Sequence, residues 1–263
     1  MVKGISSGSS FLKFGNGPEK LVVFPPIYDA LFESADFPVY FRFLFGVFAE
    51  TCTVYLVSRK RGMPVGYLTR DMARHYSEFF TAEIGGPAYV MGISLGGLIA
   101  QSFAHDYPHY VRKLIISGSA CRMGPEGLEI ARRWIPWARE GAWNKIYEES
   151  MDFSYIGWHH FLSQLFKPYF VNRLNRTVQD PSDFIISGQA GMLHDSMNFL
   201  PELRMPVLVV GGSQDCFFPE SLLYEMKYAV PHCRLHIIPN AKHAVFEQNR
   251  TAVSKVILDF MKE

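Results

Sequence analysis

Short, mainly apolar runs alternate with helix-length segments over much of this chain, and few folds accept that order. Ala88–Met91, Lys113–Ser117, Pro206–Val210 and Arg234–Ile238 read as strands, while Leu95–Asp106, Glu220–Val230 and Thr251–Lys262 read as helices. Strands that are apolar on both faces and separated by helices form a parallel sheet covered on both sides. Upstream, Val54–Val57 adds a strand and Arg70–Ile84 a helix stopped by Gly85-Gly86-Pro87. Phe37, Phe41, Phe45 and Phe48 form a helical stripe after Asp36 and Pro38. Phe11–Phe14, the turn Gly15-Asn16-Gly17-Pro18 and Leu21–Phe24 read as a hairpin. Residues 121–199 break the rhythm and read as inserted helices. The expectation is an α/β protein with a core formed by 1–120 and 200–263.

Several function classes drop out on composition. The 263 residues are 48% hydrophobic and 19% charged, enough for a buried core. Lys and Arg total 26 against 25 Asp and Glu, so no long-range field gathers phosphates and no nucleic-acid partner is expected. The most apolar stretch, Phe37–Ala49, falls short of the ~20 residues of a membrane span and carries Arg42, so no stable membrane insertion is expected. Cysteines 52, 121, 216 and 233 contain no CxxC pair, and the first residues hold no signal-like apolar run. Reduced thiols and a cytoplasmic setting are the expectation. No GxGxxG follows a strand, and no GKS, GKT or HExxH occurs, so neither a cofactor nor a metal is expected.

The pattern Gly-x-Ser-x-Gly occurs twice. Gly4-Ile5-Ser6-Ser7-Gly8 sits in a Gly/Ser-rich terminus and reads as a mobile stretch without function. Gly92-Ile93-Ser94-Leu95-Gly96 instead joins the strand Ala88–Met91 to the helix starting at Leu95. A sharp strand-to-helix turn strains the serine backbone and demands small neighbours two residues away. It also sets the hydroxyl at a helix amino terminus, where backbone donors favour developing negative charge.

A serine hydroxyl needs a base. Of nine histidines, His243 lies in the loop between the strand Arg234–Ile238 and the last helix, at a strand's carboxyl end, where chemistry collects in an open parallel sheet. His159, His160 and His194 fall in the inserted region, where a ligand contact is open; the others read as surface or packing residues. The third member must be a carboxylate that accepts the other imidazole N–H. Asp215 follows the strand Val207–Val210 through Gly211-Gly212-Ser213-Gln214, again at a carboxyl end, with Asp195 as runner-up outside the strand pattern.

With these residues assembled, the chain resembles the α/β-hydrolase superfamily of cap-bearing serine esterases. The resemblance covers Phe11 to Lys262 and rests on Gly92–Gly96, the Asp215 loop and Asn240-Ala241-Lys242-His243, in the order Ser, Asp, His. It implies an α/β-hydrolase fold with a mostly parallel sheet of about eight strands and a helical cap at 121–199. It further implies an acyl-enzyme mechanism on a small-molecule ester, with Leu95 as one oxyanion donor. Two departures stand out. Where the family carries His-Gly after its third strand, this chain has Phe24-Pro25-Pro26-Ile27-Tyr28. Proline has no N–H, so Ile27 becomes the best second donor, with the Tyr28 hydroxyl as a further candidate. Lys242 replaces the small residue that often precedes the histidine, and no mechanism follows from it.

All four tryptophans, Trp134, Trp137, Trp143 and Trp158, lie within 121–199. Trp134, Trp137 and Trp158 are therefore candidates, with Tyr28, for lining a pocket for an apolar acyl or aromatic group, which Met192 and Met197 could extend. The leading expectation is hydrolysis of a small to medium apolar ester, lactone or thioester. A slow, ligand-binding or signalling protein motivated by Pro25-Pro26, and C–C bond hydrolysis or a lyase reaction on the same scaffold, are the alternatives. Oligomeric state is left open.

Overall fold

The computed structural model describes residues 1–263. Eight strands form one sheet: β1 (Val2–Ser6), β2 (Ser9–Phe14), β3 (Glu19–Phe24), β4 (Cys52–Val57), β5 (Ala88–Ile93), β6 (Val111–Ser117), β7 (Val207–Gly212) and β8 (Cys233–Ile238). Their order is β1-β2-β4-β3-β5-β6-β7-β8. The β1–β2 and β2–β4 pairs are antiparallel, and every later pair is parallel. An eight-stranded, mostly parallel sheet flanked by helices is therefore what the sequence builds.

Helices α1 (Pro38–Phe45), α2 (Thr69–Phe79) and α3 (Leu95–Asp106) fall between the first six strands. The segment between β6 and β7 holds four more, α4 (Pro125–Arg139), α5 (Trp143–Ser154), α6 (Gly157–Thr177) and α7 (Ser182–Leu193). Finally come α8 (Glu220–Ala229), the short α9 (Val245–Gln248) and α10 (Arg250–Lys262).

Alternation along the strands splits the core into two layers. Val22 and Phe24 face one layer with Phe79, Leu98, Ile99 and Phe103, whereas Leu21 and Val23 face the other with Phe45, Phe246 and Ile257. Each such side chain, fully buried, contributes roughly 1.5–3 kcal/mol as an upper figure. Trp134, Trp143, Ile146 and Phe184 belong to the first layer too, so α4, α5 and α7 pack onto the sheet's own core rather than standing off it.

Two sequence expectations need correction. Phe11–Phe14 and Leu21–Phe24 do not pair as a hairpin, because β4 lies between β2 and β3. Asn16 donates to the Ala49 carbonyl at 3.2 Å and Glu19 to the Thr51 carbonyl at 3.4 Å, so the 15–18 turn is tied to the entrance of β4. The hairpin instead joins β1 to β2. Ser7 and Gly8 have φ of 49° and 75°, the left-handed pair that a tight two-residue hairpin turn requires. The first Gly-x-Ser-x-Gly copy is thus an edge strand and its turn, not a loose terminus.

Candidate active site

β5 leads straight into Ser94, whose φ of 52° is held in the left-handed region. For a non-glycine residue that conformation stores roughly 1–3 kcal/mol and persists only where the surroundings enforce it. A Cβ on Gly96 would sit on the Phe24 carbonyl, and one on Gly92 would sit on the Gly96 carbonyl. Both positions must be glycine for β3, β5 and α3 to approach this closely. Ser94 N–H donates to the Ser117 carbonyl at 3.0 Å, fixing the turn to β6.

The loops after β7 and β8 meet backbone to backbone. A Cβ on Gly212 would collide with the Ala241 and Lys242 carbonyls. Across this contact Gln214 N–H donates to Ala241 at 2.9 Å and Asn240 N–H to the Ser213 hydroxyl at 2.9 Å. From above, His243 N–H and Ala244 N–H donate to the Phe153 and Ser154 carbonyls at the end of α5, at 3.4 and 3.1 Å.

These contacts bring the three residues together. The Ser94 hydroxyl lies 2.9 Å from His243 Nε2, and His243 Nδ1 lies 2.9 Å from Asp215 Oδ2. The other carboxylate oxygen of Asp215 accepts Phe217 N–H at 2.9 Å and Phe218 N–H at 3.1 Å, so the buried carboxylate is fully engaged. With the carboxylate accepting from Nδ1, the imidazole presents Nε2 to the serine as an acceptor. The rings of Phe153, Phe217 and Phe218 pack 5.2–5.8 Å from that of His243. Burial pulls the His243 pKa down, but the charge and hydrogen bond of Asp215, with Glu247 adding to them, leave it raised above the ordinary histidine value. Asp195 lies elsewhere, capping the Met197 N–H at 3.0 Å.

A cavity of about 120 Å³ adjoins the hydroxyl, and Ile27, Tyr28, Leu95, Trp134, Phe153 and Phe184 are among its walls. Leu95 begins α3 and Ile27 begins a 3-10 turn (Ile27–Ala30), so neither N–H has a partner within its own helix. The Tyr28 hydroxyl is buried, with the Ser150 side chain beside it. Trp137 and Trp158 are not among the cavity walls; Trp137 stacks under Lys145, and Trp158 is exposed beside Phe161. No trio of His, Cys, Asp or Glu gathers as a metal-binding group.

The sequence reading missed one support. Arg59, buried after β4, donates to three successive carbonyls of the turn bearing Ile27: Pro25 at 2.9 Å, Pro26 at 2.9 Å and Ile27 at 3.0 Å. Its own N–H donates to Asp29 at 2.8 Å. The basic cluster Ser58–Gly62 was the available signal, but it resembles an ordinary solvated loop. Glu247 was missed as well: it lies four residues after His243 and faces the same cavity.

A second constellation of the same atom types shows what hydrogen bonds alone do not provide. Ser9 Oγ lies 3.0 Å from His75 Nε2, and His75 Nδ1 lies 3.1 Å from Glu78. Ser9 is only 1% exposed and lines neither this cavity nor the large groove described below, so no substrate atom can reach it there.

A family model described as alpha/beta hydrolase fold matches residues 58–250. The chain belongs to that family. Among its relatives, a poly(3-hydroxyalkanoate) depolymerase of Ectopseudomonas oleovorans is 24% identical over 68% of this chain and 62% of its own length. A 2-hydroxy-6-oxononadienedioate/2-hydroxy-6-oxononatrienedioate hydrolase of Pseudomonas is 25% identical over 66% of this chain and 62% of its own. The chain thus spans less than two thirds of these relatives. A pimeloyl-[acyl-carrier protein] methyl ester esterase of Neisseria meningitidis is 27% identical over 69% of this chain and 72% of its own. The fold is shared with an alpha/beta hydrolase from a Medee basin deep-sea metagenome library, at TM-score 0.80 and 17% identity over 97% of this chain and 95% of that one. The enol-lactonase of Burkholderia xenovorans superposes at TM-score 0.78 and 15% identity over the whole of both chains.

Proposed function

We propose that this α/β hydrolase is a serine esterase that cleaves a neutral, apolar carboxylic ester through an acyl-enzyme intermediate. The observation that carries the reading is the imidazole of His243 bridging the Ser94 hydroxyl and the Asp215 carboxylate at 2.9 Å on each side. In this reading His243 Nε2 takes the Ser94 proton as Oγ bonds to the ester carbonyl carbon. The Leu95 and Ile27 N–H groups receive the carbonyl oxygen as it becomes an oxyanion. His243 then passes the proton to the departing alkoxide, and water, deprotonated by the same imidazole, releases the acid and restores Ser94. Residues 121–199 act as a cap that supplies Trp134, Phe153 and Phe184 to the substrate's surroundings.

Charge favours an ester over the carboxylate-bearing substrates in the names of some relatives. No Arg or Lys lines the cavity, and the acidic and basic side chains among its walls are Glu247 and His243. A substrate carboxylate would enter without a counter-ion, next to an acid. The four unpaired cysteines fit a reducing, cytoplasmic setting.

Turnover of p-nitrophenyl acetate by the wild type and by Ser94→Ala tests the reading. Loss of at least about 10⁴-fold in kcat is expected. Equal turnover in both proteins refutes it, as does failure of a serine-directed phosphonate to add mass at Ser94.

A further inference from the structure

The catalytic cavity is small for a ligand site. At about 120 Å³ it lies below the ~300–1,000 Å³ of pockets that enclose a whole small molecule. It is not closed off, however. A groove of about 640 Å³ runs between residues 25–44 and helices α5 and α6, and Pro26, Tyr28, Met151, Tyr155 and Glu247 line both spaces. We propose that this groove is a second substrate compartment that receives an extended, uncharged hydrocarbon arm of the ester. The proposal rests on the Ser94 reading and names the substrate class that such a site takes.

The walls state the chemistry. Phe32, Phe37, Phe41, Leu162 and Phe170 supply apolar surface, and neither Lys nor Arg is among the lining residues. The charged groups present are the acids Asp29, Glu33 and Glu247, joined by His159. Asp29 faces Arg59, and Glu33 faces Arg61 at 3.9 Å. Glu247 lines both spaces and acts electrostatically on Tyr155, Tyr40 and His243. A methyl-ended arm gains by leaving water here, whereas a carboxylate-ended arm finds neither lysine nor arginine in the lining to pair with. Apolar surface continues at the rim, where Tyr40, Phe43 and Phe166 are exposed, so an arm longer than the groove still finds contact.

The test is a chain-length series on both sides of the scissile bond: p-nitrophenyl esters from acetate to decanoate, and alkyl acetates from ethyl to decyl, all below their critical micelle concentrations. Each methylene moved from water into the groove contributes up to about fourfold in kcat/KM. A rise of at least about 30-fold from the two-carbon to the eight-carbon member is expected in one series, which identifies the arm that occupies the groove. Leu162→Trp fills the groove and the exposed Phe166→Asp charges it; either flattens that rise, read as the ratio of eight-carbon to two-carbon kcat/KM within each variant. A long ester ending in carboxylate should react at least about tenfold more slowly than its methyl-ended counterpart.

Flat profiles in both series overturn the proposal, as do length profiles that both variants leave untouched. A dimer in solution that buries this face, together with length-independent turnover, also overturns it in favour of a second copy in the groove. Calorimetry separates this failure from failure of the esterase reading. Octyl acetate that binds Ser94→Ala, and binds less well once Phe166→Asp is added, establishes the compartment even if no ester is hydrolysed. Acetate turnover with no effect of chain length leaves the esterase standing and removes the compartment.

Discussion

Removing the Arg59 guanidinium is the sharpest test of how this site is held together. Arg59 is 2% exposed and Asp29 is 4% exposed, and the guanidinium donates to three carbonyls of the Pro25–Ile27 turn. Two prolines in that turn cannot donate, so the position of the Ile27 N–H depends on what grips the carbonyl side. Arg59→Met keeps an unbranched apolar stem but strands three acceptors and the Asp29 carboxylate. Breaking one partner of such a buried pair costs about 3–5 kcal/mol. The folded fraction that remains should lose roughly 10²-fold in kcat, the cost of misplacing the oxyanion donor proposed at Ile27, while KM shifts little. Arg59→Lys restores the charge without the planar fork and should recover part of the stability and less of kcat. Urea unfolding gives the stability, and kcat and KM on p-nitrophenyl acetate at a temperature where each variant is folded give the rest. Wild-type kcat in folded Arg59→Met would refute the reasoning, because the turn would then hold its donor without the arginine.

The remaining predictions address the same site from other sides. Asp215→Asn should lower kcat by about 10³–10⁴ through loss of the tautomer that presents Nε2 to Ser94, measured with the acetate ester. In the proposed mechanism His243 must be neutral, so kcat/KM should rise with pH through a value above the ordinary histidine pKa; Glu247→Gln removes one charge that raises it and should move this acid limb to lower pH. The same raised pKa means that His243 contributes stability below its unfolded pKa, and that the contribution is lost as pH rises through the folded value. Gly96→Ala should give little folded protein, scored by soluble yield and thermal melting, because its methyl group has no space beneath the Phe24 carbonyl. Ser6→Ala and Ser9→Ala should leave acetate turnover within about twofold, since neither serine lines the cavity.

Much of this protein is written locally. Apolar runs that are too short for helices, the helix starts after Ser94 and Pro219, and the glycines flanking Ser94 are decided within a few residues, because burial period and backbone sterics act at that range. The class of sheet and the place of Ser94, Asp215 and His243 at strand ends follow from them. Pairing does not. That β4 enters between β2 and β3, and that Ser7-Gly8 turns a hairpin, depends on which apolar faces are covered at once, which no single segment specifies. Nor could local pattern rank the tryptophans: Trp134 lines the cavity while Trp158 faces outward, although both sit in inserted helices. Arg59 is the plainest case. A lysine- and arginine-rich loop is ordinarily solvated, and only the meeting of two distant turns, one of them stripped of donors by proline, makes a buried guanidinium favourable there. Close approach of backbones and the satisfaction of buried polar atoms are properties of the assembled chain, and they decided what the residue order alone left open.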